Sequence, residues 1–362
     1  MRTDDSDFMM QAFYEGLLAV GQSRPNPAVG ALVVKNEQIV GRGHTQEPGY
    51  SHAEVMALKE AKENAVGADL YVTLEPCVHY GRTPPCVNAI IESQINRVFF
   101  AHEDKNPIVF GKAKKILENA GIQVFSGKKA CKESTFSKIE TYFEAYDYFV
   151  STNRTFVELK IATTKNGFIA NKDLSPLKIT GEKANRQTHE WRAMSDAILV
   201  SSNTVLHDNP LLNVRFIKGN NPIKILWNFQ KEWTNTELSE LKIFKETPKE
   251  NILIFSFAPQ RHAEKYFKVV PLPSENFKEN WEFLLSYLSD LKMHRLFVEP
   301  GAFLLENILK TKLWNKLYHL ESKAEIIVDG KPIKSKMPDQ YLKKTQDLET
   351  DILEIYENDF LK

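Results

Sequence analysis

The sequence is poor in cysteine, has no net charge and contains no long apolar run. Three cysteines in 362 residues are an odd and sparse set. They do not make a disulfide framework, and a reducing compartment fits them best. Lysine plus arginine and aspartate plus glutamate each number 47, so no global field draws nucleic acid or an anionic membrane to the chain. No apolar stretch approaches the roughly 18 residues that a membrane helix needs. The opening stretch from Met1 to Phe13 lacks the basic region and apolar core of a secretory signal. Internal repeats and low-complexity segments are also missing. These absences lead to the expectation of a soluble, cytoplasmic protein with neither a nucleic acid nor a membrane as partner. What is present is length enough for two domains and an apolar fraction of 42%, sufficient to bury two cores.

Local patterns support two α/β domains. Helical spacing runs from Asp7 to Val20, and a hairpin follows with Asn36-Glu37 at its turn. Helices are expected over His52 to Ala65, Cys86 to Ser93 and Val109 to Ala120. They alternate with strands over Asp69 to Leu74, Arg97 to Ala101 and Ile122 to Phe125, an order that implies a layered sheet. A long aromatic helix from Lys132 to Phe149 closes this region, and a boundary falls near Ser151 to Arg154. The expected domains are therefore 1–150 and 151–362. The second restarts with strand Thr155 to Ile161, helix Glu182 to Ala193 and strand Asp196 to Ser201. Further strands are expected at Ile223 to Trp227, Ile252 to Ser256 and Arg295 to Glu299, with a helix near Trp281 to Leu291. Long surface loops are expected within Ile217 to Asn276.

The strongest chemical signal is His52-Ala53-Glu54 followed by Pro76-Cys77 and Cys86. One imidazole and two thiolates suit zinc, and three protein ligands leave a fourth position open for water, as catalytic sites do. Both His52 and Cys86 fall at expected helix starts, where the helix dipole favours a thiolate. Glu54 is placed to exchange protons with water at the metal without being a ligand. Taken singly, a His-x-Glu pair is commonly a solvated helix face and an isolated cysteine a small core residue. Together and in order they match the signature of zinc nucleobase deaminases. Cys131 is left over and reads as structural. The eight residues between Cys77 and Cys86 form a loop that can reach into a pocket, where His79 and Arg82 are either substrate contacts or ordinary surface residues.

That long loop, Val78-His79-Tyr80-Gly81-Arg82-Thr83-Pro84-Pro85, resembles the bifunctional riboflavin-biosynthesis deaminase/reductase family. Pro25-Asn26-Pro27-Ala28-Val29-Gly30, Asn106-Pro107 and Ala120-Gly121-Ile122 add to the resemblance. It implies a cytidine-deaminase-like three-layer α/β/α first domain and a dihydrofolate-reductase-like second domain. It also implies hydrolytic deamination of a diaminohydroxyphosphoribosylaminopyrimidine, then NADPH-dependent reduction of its ribosyl group to ribityl. Asn26 and His79 would contact the first substrate, although Asn26 between two prolines also suits plain turn chemistry.

In the second domain the resemblance rests on Ala197 to Arg215, read as a buried strand opening into a polar loop. It puts Ala162, Thr204, Asp208 and Gly301 near the cofactor, and Arg192, Leu212, Arg215 and Glu299 near substrate. A helix starting after Gly301 would offer amides to the cofactor's phosphates, and Arg215 suits a phosphate. No residue reads out NADPH in preference to NADH. The chain departs from the family pattern at Pro176, Lys178, Asn209 and Pro300, and proline offers no N–H. Three other readings therefore stand beside the bifunctional enzyme. One is a deaminase with a degenerate, structural reductase domain. Another, a nucleic-acid-editing deaminase, is disfavoured by the neutral charge and the long cysteine loop. The last, a structural zinc module, is disfavoured by having three ligands and Glu54. Small-molecule partners and a homo-oligomer complete the expectation.

Overall fold

The computed structural model describes residues 5–171, 177–324, 330–332 and 337–358. The chain divides into two compact units, Met1–Asn153 with Lys218–Asn220, and Arg154–Ile217 with Asn221–Lys362. No helix among the described residues is long and apolar enough to cross a membrane.

The first unit runs α1 (Asp5–Gly16), β1 (Gly30–Lys35), β2 (Gln38–His44), α2 (Ala53–Ala61), β3 (Asp69–Leu74), α3 (Cys86–Glu92), β4 (Arg97–His102), α4 (Lys112–Asn119), β5 (Gln123–Ser126) and α5 (Glu133–Thr152). Its sheet has the order β2-β1-β3-β4-β5, with β1 antiparallel to both neighbours and β3, β4 and β5 mutually parallel. Asn36 and Glu37 both take positive φ, as a two-residue hairpin turn requires. Strand parity separates the layers. Gly30 pairs with His44, and this pair faces α1, where His44 meets Glu15. One residue on, Gly43 faces α2 on the opposite side. A Cβ at Gly41 or Gly43 would collide with the carbonyl oxygens of Ala57 and Ala53 respectively, so α2 rests on β2 backbone to backbone. The unit is thus three-layered, and a nearly fully buried β1 is what two covered faces demand.

The second unit runs β6 (Phe156–Thr163), β7 (Phe168–Asn171), α6 (Glu182–Ala193), β8 (Ala197–Ser201), α7 (Ser202–Asp208), β9 (Ile223–Asn228), α8 (Asn235–Glu240), α9 (Lys242–Lys245), β10 (Ile252–Ser256), β11 (Lys268–Pro271), α10 (Phe277–Asp290), β12 (Arg295–Val298), α11 (Ala302–Thr311), β13 (Lys316–Ser322), β14 (Gly330–Pro332), β15 (Leu342–Asp347) and β16 (Asp351–Glu357). Its large sheet has the order β11-β10-β9-β8-β12-β6-β13-β16-β15. It is parallel from β11 to β13 and antiparallel beyond. Trp281, Leu284 and Leu288 of α10 and Leu304, Leu305 and Ile308 of α11 repeat at helical spacing and fill the core against the strands. From β8 the chain moves to β9 on one side, and from β12 it moves to β13 on the other. Such a divergence opens a crevice at the carboxyl ends of the strands, where α/β sheets bind ligands.

Two local expectations need correction. The polar stretch after β8 is the helix α7, because the Ser201 hydroxyl caps it by accepting from Thr204 N. The loops expected within Ile217 to Asn276 contain α8, α9 and β11; α8 is started by a capping box between Thr234 and Glu237.

Candidate active sites

In the first unit, three chain segments converge beyond the end of β3. His52 is the N-cap of α2, Cys86 is the first residue of α3, and Cys77 follows β3 by three residues. His52 Nδ1 lies 3.5 Å from Cys77 Sγ and 3.3 Å from Cys86 Sγ. The Cys86 N–H donates to Cys77 Sγ at 3.3 Å. The donor atoms lie within 4.8 Å of one another. Bonds of about 2.0 Å to nitrogen and 2.3 Å to sulfur give tetrahedral edges of about 3.5 Å, so this donor set fits zinc.

The electrostatics favour one thiolate and a poised acid. A hydrogen bond from the Cys86 thiol holds the Cys77 thiol down to about 4, against the cost of burial and with help from His52. Sharing that bond, together with burial, pushes the Cys86 thiol well up. Glu54 is 4% exposed, and burial, with the Cys77 charge second, raises its carboxyl to about 7. At that value the group both accepts and donates a proton near neutrality.

His52, Glu54 and Cys77 line a pocket of about 340 Å³, together with Asn26, His79, Arg82, Asp104, Asn106 and Tyr146. His79 Nδ1 is buried and has no hydrogen-bond partner among the described residues. Glu75, beside the Pro76-Cys77 segment, accepts from Gly111 N and Ala113 N, which ties the start of α4 to this pocket. Asp104 and Tyr146 are pocket residues that sequence reasoning missed. Asp104 stands in the same short segment as Asn106-Pro107, but nothing marks Tyr146 among the aromatics of α5.

The second unit has a pocket of about 380 Å³ at the divergence of β8 and β12. Ala162, Thr204, Asp208, Glu299 and Gly301 all line it. Gly301 is the N-cap of α11, and a Cβ there would meet only Thr204 Oγ1, at 3.9 Å. Arg192, Leu212 and Arg215 are not among its lining residues. Arg192 instead grips Glu299 through two bonds of 2.6 and 3.0 Å and donates to Asn213 O at 3.2 Å. Leu212 is buried at positive φ. Arg215 is exposed; its guanidinium meets Asn213 Oδ1 at 2.8 Å and lies over the Phe216 ring. His189 accepts from Arg215 N at 3.2 Å, and burial beside Arg192 and Arg215 pushes its ring down to about 4.

Sequence reasoning also missed Lys160, which lines this pocket from β6. Burial lowers its pKa although Glu299 and Asp351 act the other way. Among the departures, Lys178 is exposed, while Leu177, Ile179 and Thr180 line the pocket. Asn209 suits its place: it ends α7 in the left-handed region, where asparagine is tolerated, and accepts from Lys242 N. Pro176 lies outside the described residues.

A zinc-type His-Cys-Cys pocket in a three-layer unit, followed by a mostly parallel sheet with a crevice at its strand ends, defines a deaminase joined to a reductase-type domain. Comparison with known proteins agrees. Residues 2–102 match the cytidine and deoxycytidylate deaminase zinc-binding region, and residues 155–320 match the RibD C-terminal domain. The riboflavin biosynthesis protein RibD of Aquifex aeolicus is 37% identical over 324 residues, covering 88% of this chain and 86% of that protein. RibD of Escherichia coli is 31% identical over 303 residues, covering 82% and 81%. A Thermotoga maritima crystal structure superposes with a TM-score of 0.71 at 28% identity, covering 98% of each chain. That protein is a diaminohydroxyphosphoribosylaminopyrimidine deaminase/5-amino-6-(5-phosphoribosylamino)uracil reductase. The chain belongs to the RibD family, the bifunctional deaminase/reductases of riboflavin biosynthesis. Zinc is the metal of the first domain and NADPH the reductant of the second.

Proposed function

We propose that the two pockets act in succession on one pyrimidine ribosyl phosphate. The first removes an exocyclic amine by hydrolysis from a diaminohydroxyphosphoribosylaminopyrimidine. The second reduces the ribosyl group of 5-amino-6-(5-phosphoribosylamino)uracil to the open ribityl chain. The observation that carries this reading is the convergence of the His52, Cys77 and Cys86 donor atoms within 4.8 Å of one another, with the buried Glu54 carboxyl lining the pocket beside them.

In the first pocket His52, Cys77 and Cys86 would hold zinc, which would supply Lewis-acid activation of water near neutral pH. The Glu54 carboxyl is the group placed to take a proton from the attacking water and to return one to the departing amine. Its burial keeps the two protonation states close in energy. Asn26 presents its amide to the pyrimidine. The unpartnered Nδ1 of His79 offers a further polar contact. Arg82, on the same loop, suits the phosphate.

In the second pocket the cofactor supplies the hydride, and the protein supplies orientation. The amides at the start of α11, just after Gly301, suit the cofactor's phosphates. Ala162, Thr204 and Asp208 flank the same cleft, and Glu299 faces it while Arg192 holds it in its charged form. Leu212 and Arg215 belong to the substrate side in this reading, reached through the Asn213 turn that Arg192 also holds. A homo-oligomer and a cytoplasmic location are part of the same proposal; three free thiols suit a reducing compartment.

The test gives zinc-loaded protein the deaminated phosphoribosylaminouracil with NADPH and follows the nicotinamide absorbance. Oxidation of NADPH is expected. Ammonia release from the earlier compound without any NADPH oxidation would instead leave a deaminase with a structural second domain.

A further inference from the structure

A charge cluster behind the first pocket, a buried histidine between two partly exposed carboxylates, has no part in the chemistry above. His102 ends β4, and its side chain is 2% exposed. Its Nδ1 lies 2.5 Å from Glu140 Oε1 and its Nε2 lies 3.1 Å from Asp147 Oδ2. Both carboxylates belong to α5, two turns apart, and Phe143 between them stacks on the imidazole at 4.9 Å and 10°. A neutral imidazole donates from one nitrogen only, so carboxylates on both nitrogens call for the doubly protonated ring. Burial works against that charge, yet Asp147 and Glu140 outweigh it and push the ring up to about 9.

The grip has a consequence for the pocket. Tyr146 is next to Asp147 in α5 and lines the pocket, where burial and the nearby Asp104 charge push its hydroxyl up. Asp104 lies two residues beyond His102 and lines the same pocket. His102 does not itself line the pocket, but it joins the strand end that carries one of these residues to the helix turn that carries the other. With the Glu140 and Asp147 side chains 41% and 23% exposed, these ion pairs add little net stability, and apolar packing would hold α5 at least as firmly. A charged clamp at this place is better explained by a need for one rotation and one height of α5.

We propose that His102 is a positioning residue for deamination, gripping α5 at Glu140 and Asp147 so that Tyr146 and Asp104 are presented to the pyrimidine as a fixed pair. The inference rests on the reading of the first pocket as the deaminase site.

The test measures ammonia release by zinc-loaded full-length protein for the wild type, His102→Gln, Tyr146→Phe and the double variant. Zinc content and NADPH oxidation serve as internal controls. His102→Gln raises KM about tenfold with kcat within about threefold, the size of one lost positioned hydrogen bond. Tyr146→Phe raises KM in the same direction. The double variant is no worse than His102→Gln, because both changes break one arrangement. An unchanged KM in either single variant overturns the proposal, and so do effects that multiply in the double variant. If His102→Gln does not fold, Glu140→Gln and Asp147→Asn each release one side of the grip and are read in the same way. A wild type that releases no ammonia would instead overturn the reading of the pocket itself.

Discussion

The two pockets are assembled in opposite ways. The first takes its metal donors and its acid from short segments around one strand, at the starts of α2 and α3 and just past β3. The second collects its lining from β6, from the β8 to α7 corner and from the β12 to α11 corner, which are distant in the chain and become neighbours only through the sheet order. A site of the first kind is concentrated, so one substitution can remove its chemistry. A site of the second kind is distributed, so single substitutions should erode it.

The sharpest form of that contrast is Glu54→Gln. It keeps the three zinc donors and removes the proton carrier, so deamination should fall by about 10²- to 10⁴-fold. Zinc content and NADPH oxidation should stay at wild-type levels. Ammonia release at the wild-type rate would show that the acid is another group.

The two units also treat a buried histidine in opposite ways, and pH separates them. His102 is raised to about 9. It contributes stability that is complete below its unfolded value of about 6.5 and is lost as pH rises through 9. His189 is lowered to about 4. Its unfolded form takes up a proton below about 6.5, so the second unit weakens as pH falls from there toward 4. Each effect amounts to at most about 3 kcal/mol. All five tryptophans (Trp191, Trp227, Trp233, Trp281 and Trp314) lie in the second unit, so tryptophan fluorescence in urea reports that unit alone. Retention of zinc reports the other. Both units weakening on the same side of neutrality would break the comparison.

The smallest expected effect is at Gly301. A single methyl has room there, so Gly301→Ala should leave NADPH binding nearly unchanged. The larger Gly301→Val fills the gap between the starts of α11 and α7 and should weaken binding about tenfold, or about 1.4 kcal/mol. Fluorescence titration checks this, with deamination as the control. Equal affinity in all three proteins would move the phosphates away from α11.

Legibility in the sequence follows the same division. Asp69–Leu74, Glu182–Ala193 and Ile252–Ser256 are recognisable residue for residue, because hydrophobic periodicity and flanking turn residues agree there. The zinc donors are readable because residue type and spacing state the chemistry directly. α7 is not, since its polar opening looks like a loop until the Ser201 cap is seen. Lys160 is hidden in an apolar strand, where only three-dimensional neighbours distinguish a lining lysine from a surface one. Tyr146 depends on the rotation of α5, which the aromatic-rich helix sequence does not specify. Arg192 and Arg215 are visible as arginines, but their roles in holding Glu299 and the Asn213 turn are not.

The glycines of β2 give the catalytic motif a hidden dependence. Because Gly41 and Gly43 have no side chains, α2 settles directly on the strand, and that seating sets the height at which His52 and Glu54 emerge. Two missing methyl groups thus work as a spacer of zero thickness. Grafting His-Ala-Glu onto another helix would copy the reactive groups without this spacer. A methyl added beneath α2 would change the chemistry of the pocket from the far side of the helix, without touching any atom that reacts.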